Sequence, residues 1–403
     1  MDTVVLAVFI FVYAGMVLGE VPGLKLDRTG IALLGAILCL ALGKIGPQKA
    51  WEAVDVSTIA LLLGLMVVSA QFRLGGFYTH VTRRIAAADA SPSGLLALLI
   101  AASGLLSALL ANDVVCLAVA PILIEGCARR RLDPLPFLLA LACASNVGSA
   151  ATLIGNPQNM LIGQTLNLSF AGYLADALVP SLLGLAIVWA AIVLRFRGRW
   201  EKETPVPQVA DTVFNPWQTF KGFAVLTLLV IAFLFAPWPR EVVALAAAAI
   251  LLTSRRMATR DMLGLVDWQL LVLFIGLFVV NRVLDDSGML ARLMSGLKAA
   301  GVDAQQPAWL FIITAVLSNL VSNVPATMLL LPSAAHPLAG PILALASTLA
   351  GNLFIVGSIA NIIVVDQARK LGVKISWADH ARTGVPVTIL TLLAAAGWLW
   401  LVR

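Results

Sequence analysis

SALLANDVVCLAVAP at residues 107–121 and SNLVSNVPATMLLLP at 318–332 are the two stretches on which the fold turns. Each is apolar on both flanks and polar at its middle. They align at an offset of 211, which sets Asn112 against Asn323 and Pro121 against Pro332. Irregular polar backbone is tolerated at membrane depth only against protein or a wet cavity. The pattern predicts two hairpins, over 92–128 and 306–332. Each enters the membrane, turns at its polar tip (Ala111-Asn112-Asp113 or Ser322-Asn323-Val324-Pro325) and leaves by the same face. Two complete spans need roughly 40 apolar residues, and neither stretch supplies them.

The alignment extends outward. Asp55, Gly64 and Gly76 match Asp267, Gly276 and Gly288 at a constant offset of 212, and Asn146 matches Asn352. After a small deletion, Gly155-Asn156-Pro157-Gln158-Asn159 matches Gly357-Ser358-Ile359-Ala360-Asn361. Matches in one order across both halves mark an internal repeat. Apolar runs place ten spans at about 3–19, 29–45, 57–72, 135–165, 171–195, 219–236, 240–254, 266–283, 339–368 and 383–402. Five spans and a hairpin per repeat is an odd count, so the second repeat enters upside down, the inverted plan with a midplane site. The predicted organisation is a first repeat over 1–200, a cytoplasmic linker over 201–218 and a second repeat over 219–403. Residues 76–90 and 287–300, each following a glycine, read as amphipathic helices in the interface.

Composition fits this class. Of 403 residues, 60% are hydrophobic and 12% charged, with a mean hydropathy of +0.96; a soluble domain carries about 25% charged residues. The apolar runs do not alternate with period two, which argues for helices over a barrel. The basic pI near 9.4 comes from short loops between spans, so nucleic acid is not an expected partner. With the mouth of the first hairpin in the cytoplasm, 20 of the 27 Lys and Arg fall inside, as the positive-inside rule asks. Both termini then lie outside, in a bacterial-type inner membrane, and residues 4–19 read as a retained first helix. Cys39, Cys116, Cys127 and Cys143 form no CxxC or Cys/His metal pattern and read as packing residues. No nucleophile–base pair and no cofactor motif is present, so an enzyme is not expected.

The candidate site follows from the breaks. Helix ends inside a membrane leave N–H and C=O groups without partners, which substrate or a coupling ion can satisfy. The residues placed there are Asn112, Asp113, Gly155, Asn156, Asn159, Ser322, Asn323, Gly357, Ser358 and Asn361. Asn146 and Asn352 suit either ligand contact or interhelical hydrogen bonding. Asp113 is an ionisable group at membrane depth, a functional candidate by default; the alternative role is a helix cap. It suits a proton carrier, or a Na⁺ ligand together with Asn112. Its repeat mate is Val324. His80, His336 and His380 are expected in loops or interfacial segments.

At these four motifs the chain resembles the ion transporter superfamily: arsenite/antimonite efflux permeases, D-type sodium/proton antiporters, plant silicon-efflux transporters, the melanosomal P protein and divalent-anion/sodium symporters. The resemblance covers nearly the whole chain. It implies a scaffold domain that often forms homodimers and a transport domain that carries the hairpins across the membrane as an elevator. It also implies that Asn112 and Asn323 are tip ligands, and that 155–159 and 357–361 are unwound-helix ligands. Dicarboxylate symporters carry tips resembling Ser-Asn-Thr, whereas here Asp113 would repel a dicarboxylate and the Thr hydroxyl is absent from both tips. The expectation is proton-coupled efflux of a small inorganic hydroxide such as arsenite, antimonite or silicic acid, with Asp113 as proton carrier. A Na⁺/H⁺ antiporter and an anion or dicarboxylate symporter stand as alternatives.

Overall fold

The computed structural model describes residues 2–19, 23–209 and 212–402. The regular secondary structure of the described residues is all helix, with no β-strand among them. The first half holds α1 (Thr3–Leu18), α2 (Arg28–Ala41), α3 (Pro47–Glu52), α4 (Val56–Leu74), α5 (Phe77–Ala86), α6 (Pro92–Leu109), α7 (Asn112–Arg129), α8 (Pro134–Ser149), α9 (Pro157–Thr165) and α10 (Phe170–Phe196). The second holds α11 (Pro216–Phe235), α12 (Arg240–Leu252), α13 (Thr259–Leu263), α14 (Trp268–Asp286), α15 (Met289–Ala299), α16 (Pro307–Val321), α17 (Asn323–Leu330), α18 (Ala339–Ala350), α19 (Ile359–Lys370) and α20 (Trp377–Leu401). The starts of α2, α3, α4 and α5 precede those of α12, α13, α14 and α15 by 212 residues each.

Local chemistry sets these boundaries. Asp55 and Asp267 cap α4 and α14, accepting from the Thr58 and Leu270 amides at 3.0 and 2.9 Å. Such caps satisfy donors that the first turn leaves free. Gly76 and Gly288 precede α5 and α15 with φ of 67° and 69°, a turn that L side chains resist. Proline opens α6, α8, α9, α11 and α16, where its missing N–H costs nothing.

Two crossings organise one part of the fold. α4 packs on α12 and α14 on α2. A Cβ at Gly64 would lie 2.6 Å from the Ala244 carbonyl carbon, and one at Gly276 would lie 2.7 Å from that of Ala32. Helices approach this closely only where the side chain is absent. Elsewhere α6 packs on α8, α16 on α18 and α10 on α20, while α7 lies between α8 and α19.

Among the described residues, six helices are long and apolar enough to cross a membrane: α4, α6, α10, α11, α14 and α20. Five shorter apolar helices accompany them: α1, α2, α8, α16 and α18. Three expectations change. First, α6 has 18 residues, or about 27 Å at 1.5 Å per residue; the first predicted hairpin is therefore not too short for a full-length limb. Second, α20 begins at Trp377, not near 383, because Ser376 and Asp379 form a reciprocal capping box. That brings His380 into the helix, buried, with its Nε2 3.0 Å from the Asn352 carbonyl; a loop assignment is wrong for it. Third, the short helices α3 and α13 lie in stretches read as loops.

Candidate functional site

α6 ends at Leu109, the chain extends through Leu110 and Ala111, and α7 starts at Asn112. The Asn112 amide donates to the Gly155 carbonyl at 3.2 Å, and its Nδ2 to Asn146 Oδ1 at 3.3 Å. Asp113 sits in the first turn of α7, where a helix dipole favours negative charge. Its side chain does not cap that helix, and among the described residues it has neither hydrogen bond nor ion pair. Its charged neighbour is a second carboxylate, Asp267, at the start of α14. The capping role is therefore not the one Asp113 plays here.

The other tip differs. Ser322 joins α16 to α17 with φ 79° and ψ 159°, a region that is essentially glycine's. Asn323 follows, buried, and Val324 is buried where the first tip carries Asp113. The Asn323 amide satisfies its surroundings when Nδ2 donates to the Ser347 and Gly357 carbonyls, each at 3.1 Å, and Oδ1 accepts from Gln158 at 3.2 Å.

The unwound segments lie between α8 and α9 (150–156) and between α18 and α19 (351–358). Gly155 and Gly357 are closed in by backbone and amide: a Cβ would meet the Ser149 carbonyl at 2.3 Å or Asn319 Oδ1 at 2.8 Å. Asn156 caps α9 and Ser358 caps α19.

These pieces are joined across the two halves by two hubs. Asn146 on α8 accepts from Asn112 and from Ser358 Oγ (2.8 Å), and donates to Asn352 Oδ1 (2.9 Å) and Asn361 Oδ1 (3.1 Å). Thr348 on α18 accepts from Asn156 Nδ2 (3.3 Å) and Gln158 Nε2 (3.1 Å), and donates to Asn159 Oδ1 (3.4 Å). Asn159 also donates to the Thr152 carbonyl and to Tyr173, and Asn361 to the Gly351 and Phe354 carbonyls.

Asn112, Gly155, Asn156, Asn159, Asn323, Gly357, Ser358 and Asn361 are thus drawn into one buried network. Asp113 stands at its margin, half-buried, and Ser322 contributes backbone conformation. Asn146 and Asn352 prove central, and sequence reasoning missed Gln158 and Thr348 as convergent groups. Gln158 lay within a motif already singled out; Thr348, in an apolar helix, carried no signal. Most of the network's hydrogen-bonding capacity is spent internally. Asn112 Oδ1 and Asn352 Nδ2 are buried without partners, as are Asn319 Oδ1 on α16 and Thr327 Oγ1 on α17, so spare capacity remains at both hairpins. Cys116 on α7 and Cys143 on α8, far apart in sequence, come into each other's range near Asp113.

A family model described as citrate transporter matches residues 10–350. The chain belongs to the citrate transporter family. Its resemblance to the ion transporter superfamily is thereby borne out, and it is a multi-pass membrane transporter. Relatives of this citrate transporter family member include the 46 kDa membrane protein of Mycobacterium leprae, 29% identical over 100% of this chain and 99% of the relative. An uncharacterized transporter of Mycobacterium tuberculosis is 30% identical over 98% of each chain. The silicon efflux transporter LSI3 of Oryza sativa is 27% identical over 92% of each. The crystal structure of the Alcanivorax borkumensis YdaH transporter shares the fold, with a TM-score of 0.60 at 14% identity over 99% of this chain and 97% of that one.

Proposed function

We propose that the chain is a proton-coupled exporter of a small inorganic hydroxide, of the class of arsenite, antimonite or silicic acid, with Asp113 as the proton carrier. The observation that carries this is the setting of Asp113: a half-buried carboxylate without hydrogen bond or ion pair, beside a buried network of amides and hydroxyls. Neutral donors and acceptors suit a neutral polyhydroxide. A carboxylate without a cationic partner suits a group that gains and loses a proton during the cycle. Citrate, named in the family description, carries several negative charges that Asp113 and Asp267 would repel. The rice relative's named silicon efflux activity fits the neutral-hydroxide reading.

The architecture proposed with it is the inverted repeat. Counting α8–α9 and α18–α19 as broken spans, with α1, α2, α4, α10, α11, α12, α14 and α20, makes ten; α6–α7 and α16–α17 are the hairpins. The repeats are 1–200 and 219–403, joined by 201–218. The group α6–α10 with α16–α20 would move as an elevator against α1–α4 with α11–α14, the latter open to homodimer formation. Both termini lie outside.

The test is flux in proteoliposomes enclosing a pH-sensitive dye. Adding arsenite or silicic acid should move protons in the wild type, and Asp113→Asn should abolish the coupled proton signal. Proton movement on adding Na⁺ alone identifies a Na⁺/H⁺ antiporter, in which Asp113 and the spare Asn112 Oδ1 serve as cation ligands. Movement on adding citrate identifies an anion symporter. Either outcome, or coupled flux that survives Asp113→Asn, overturns the proposal.

A further inference from the structure

On the division proposed above, of α6–α10 with α16–α20 against α1–α4 with α11–α14, the two groups meet unequally in the two repeats. α9 packs on α4, and α17 on α14. All of α17 is buried, and α9 is buried from Pro157 to Gly163. Their repeat mates are covered less: α19 leaves Ile362, Ile363, Val365 and Asp366 half-buried, and α7 leaves Asp113 and Val114 so. Polar side chains fasten the covered side. Glu241, at the start of α12, accepts from Gln164 Nε2 at the end of α9 (2.9 Å) and from Ser57 Oγ on α4 (3.2 Å). Arg240 beside it donates to the Gly163 carbonyl at 2.9 Å. We infer that Glu241, with Gln164 and Arg240, is a latch that holds the outer side of the transporter shut, and that Asp366 with Arg28 and Thr29 forms the matching latch when the cytoplasmic side shuts.

The internal repeat supplies the counterpart. At the offset of 212, Arg240, Glu241 and Gln269 match Arg28, Thr29 and Ser57. Counted on from the matched Asn159 and Asn361, Gln164 matches Asp366. Within α1–α4 and α11–α14 both matched places are joined alike: Ser57 donates to Glu241, and Thr29 Oγ1 donates to the Gln269 carbonyl at 3.3 Å. The bonds to the other group are made in one repeat only. Where α9 reaches Glu241, α19 does not reach Thr29: Asp366 pairs with Lys370 and Arg369 on its own helix at 2.7 and 2.9 Å, and Arg28 donates to the Met16 carbonyl at 3.2 Å. Alternating access in an inverted repeat moves one group against the other around a fixed site, so each repeat takes in turn the setting the other now has. Asp366 then meets the Arg28 guanidinium and the Thr29 hydroxyl, as Gln164 and the Gly163 carbonyl now meet Glu241 and Arg240. Both members of the new pair are on the cytoplasmic side by the loop charges, and Arg240 is outside. The charges are exchanged between the groups: the outer latch puts its carboxylate on α12, the inner one on α19.

The experiment cross-links introduced cysteine pairs in the full-length chain in membranes, with copper phenanthroline as oxidant and peptide mass spectrometry as readout. The four native cysteines are buried and stay in place. Gln164→Cys with Glu241→Cys should cross-link readily. Thr29→Cys with Asp366→Cys should cross-link slowly, and faster once the outer latch is weakened. Adding Glu241→Ala should speed it about threefold, the worth of one hydrogen bond between membrane helices. Arg240→Ala should act similarly and keeps the test available if Glu241→Ala does not fold. Glu241→Gln, whose amide oxygen still accepts from Gln164, should stay near wild type. The latch is overturned if Thr29→Cys with Asp366→Cys cross-links at the same rate with and without Glu241→Ala or Arg240→Ala, the mark of a purely structural contact. It is overturned too if Glu241→Gln speeds the reaction as much as Glu241→Ala. A Thr29–Asp366 pair that never cross-links in any of these backgrounds overturns both the matching latch and the proposed movement beneath it. Neither readout involves cargo or protons, so failure of the arsenite or silicic acid reading leaves these results unchanged.

Discussion

Asn146→Ala removes the hub through which the first hairpin tip meets the unwound segment of the second half. Four hydrogen bonds vanish together, to Asn112, Ser358, Asn352 and Asn361. Hydrogen bonds between membrane helices average about 0.6 kcal/mol each, so the bonds alone are worth about 2–3 kcal/mol. Asn352 would then have neither amide atom partnered, since its Nδ2 already lacks a partner. Leaving a buried polar group unsatisfied costs about 1–3 kcal/mol, which takes the expected loss to about 3–5 kcal/mol. Asn146→Asp keeps the shape but turns the donor facing Asn352 Oδ1 and Asn361 Oδ1 into an acceptor, and should cost at least as much. Equilibrium unfolding in mixed micelles measures the loss, and initial flux in proteoliposomes measures the consequence, expected to fall at least about tenfold for 1.4 kcal/mol of misplaced site geometry. An Asn146→Ala protein that unfolds within about 0.5 kcal/mol of wild type and transports normally would refute the hub.

Two further outcomes are expected. Ser322→Gly should stabilise the protein by about 1 kcal/mol in a melt, because glycine adopts φ 79° and ψ 159° without the strain of about 1–3 kcal/mol a side chain carries there; Ser322→Ala should not, and equal melts for the two variants would argue against strain at this tip. Gly64→Ala and Gly276→Ala should each destabilise by about 1–3 kcal/mol through overpacking, since the added methyl meets the backbone of Ala244 or Ala32 rather than a side chain that can turn aside. A Gly64→Ala melt identical to wild type would show that the crossing relaxes freely.

What the sequence determined by itself is where helices stop. Asn, Gly and Pro within apolar runs are short-range signals, and the chain breaks between Leu109 and Asn112, at Ser322, over 150–156 and over 351–358 because those residues act on their own backbone. The start of α20 was less legible: Ser376 through Arg382 looks polar enough for a loop, yet a capping box converts the same residues into a first turn. The length of α6 was likewise hidden, because a polar tip is visible in sequence but the reach of each limb is not. Partnership was decided by the tertiary structure alone. Asn146 and Asn361 are 215 residues apart and hydrogen-bonded. Thr348 gathers Asn156, Gln158 and Asn159 from the other half of the chain. Asp113, which sequence allowed as either a cap or a free carboxylate, is the latter because α7 begins at Asn112, which puts Ala111 at the cap position and Asp113 inside the first turn. The physical reason for the division is range: backbone propensity and capping act within about four residues, whereas a polar network inside a membrane protein depends on which helices the packing brings face to face.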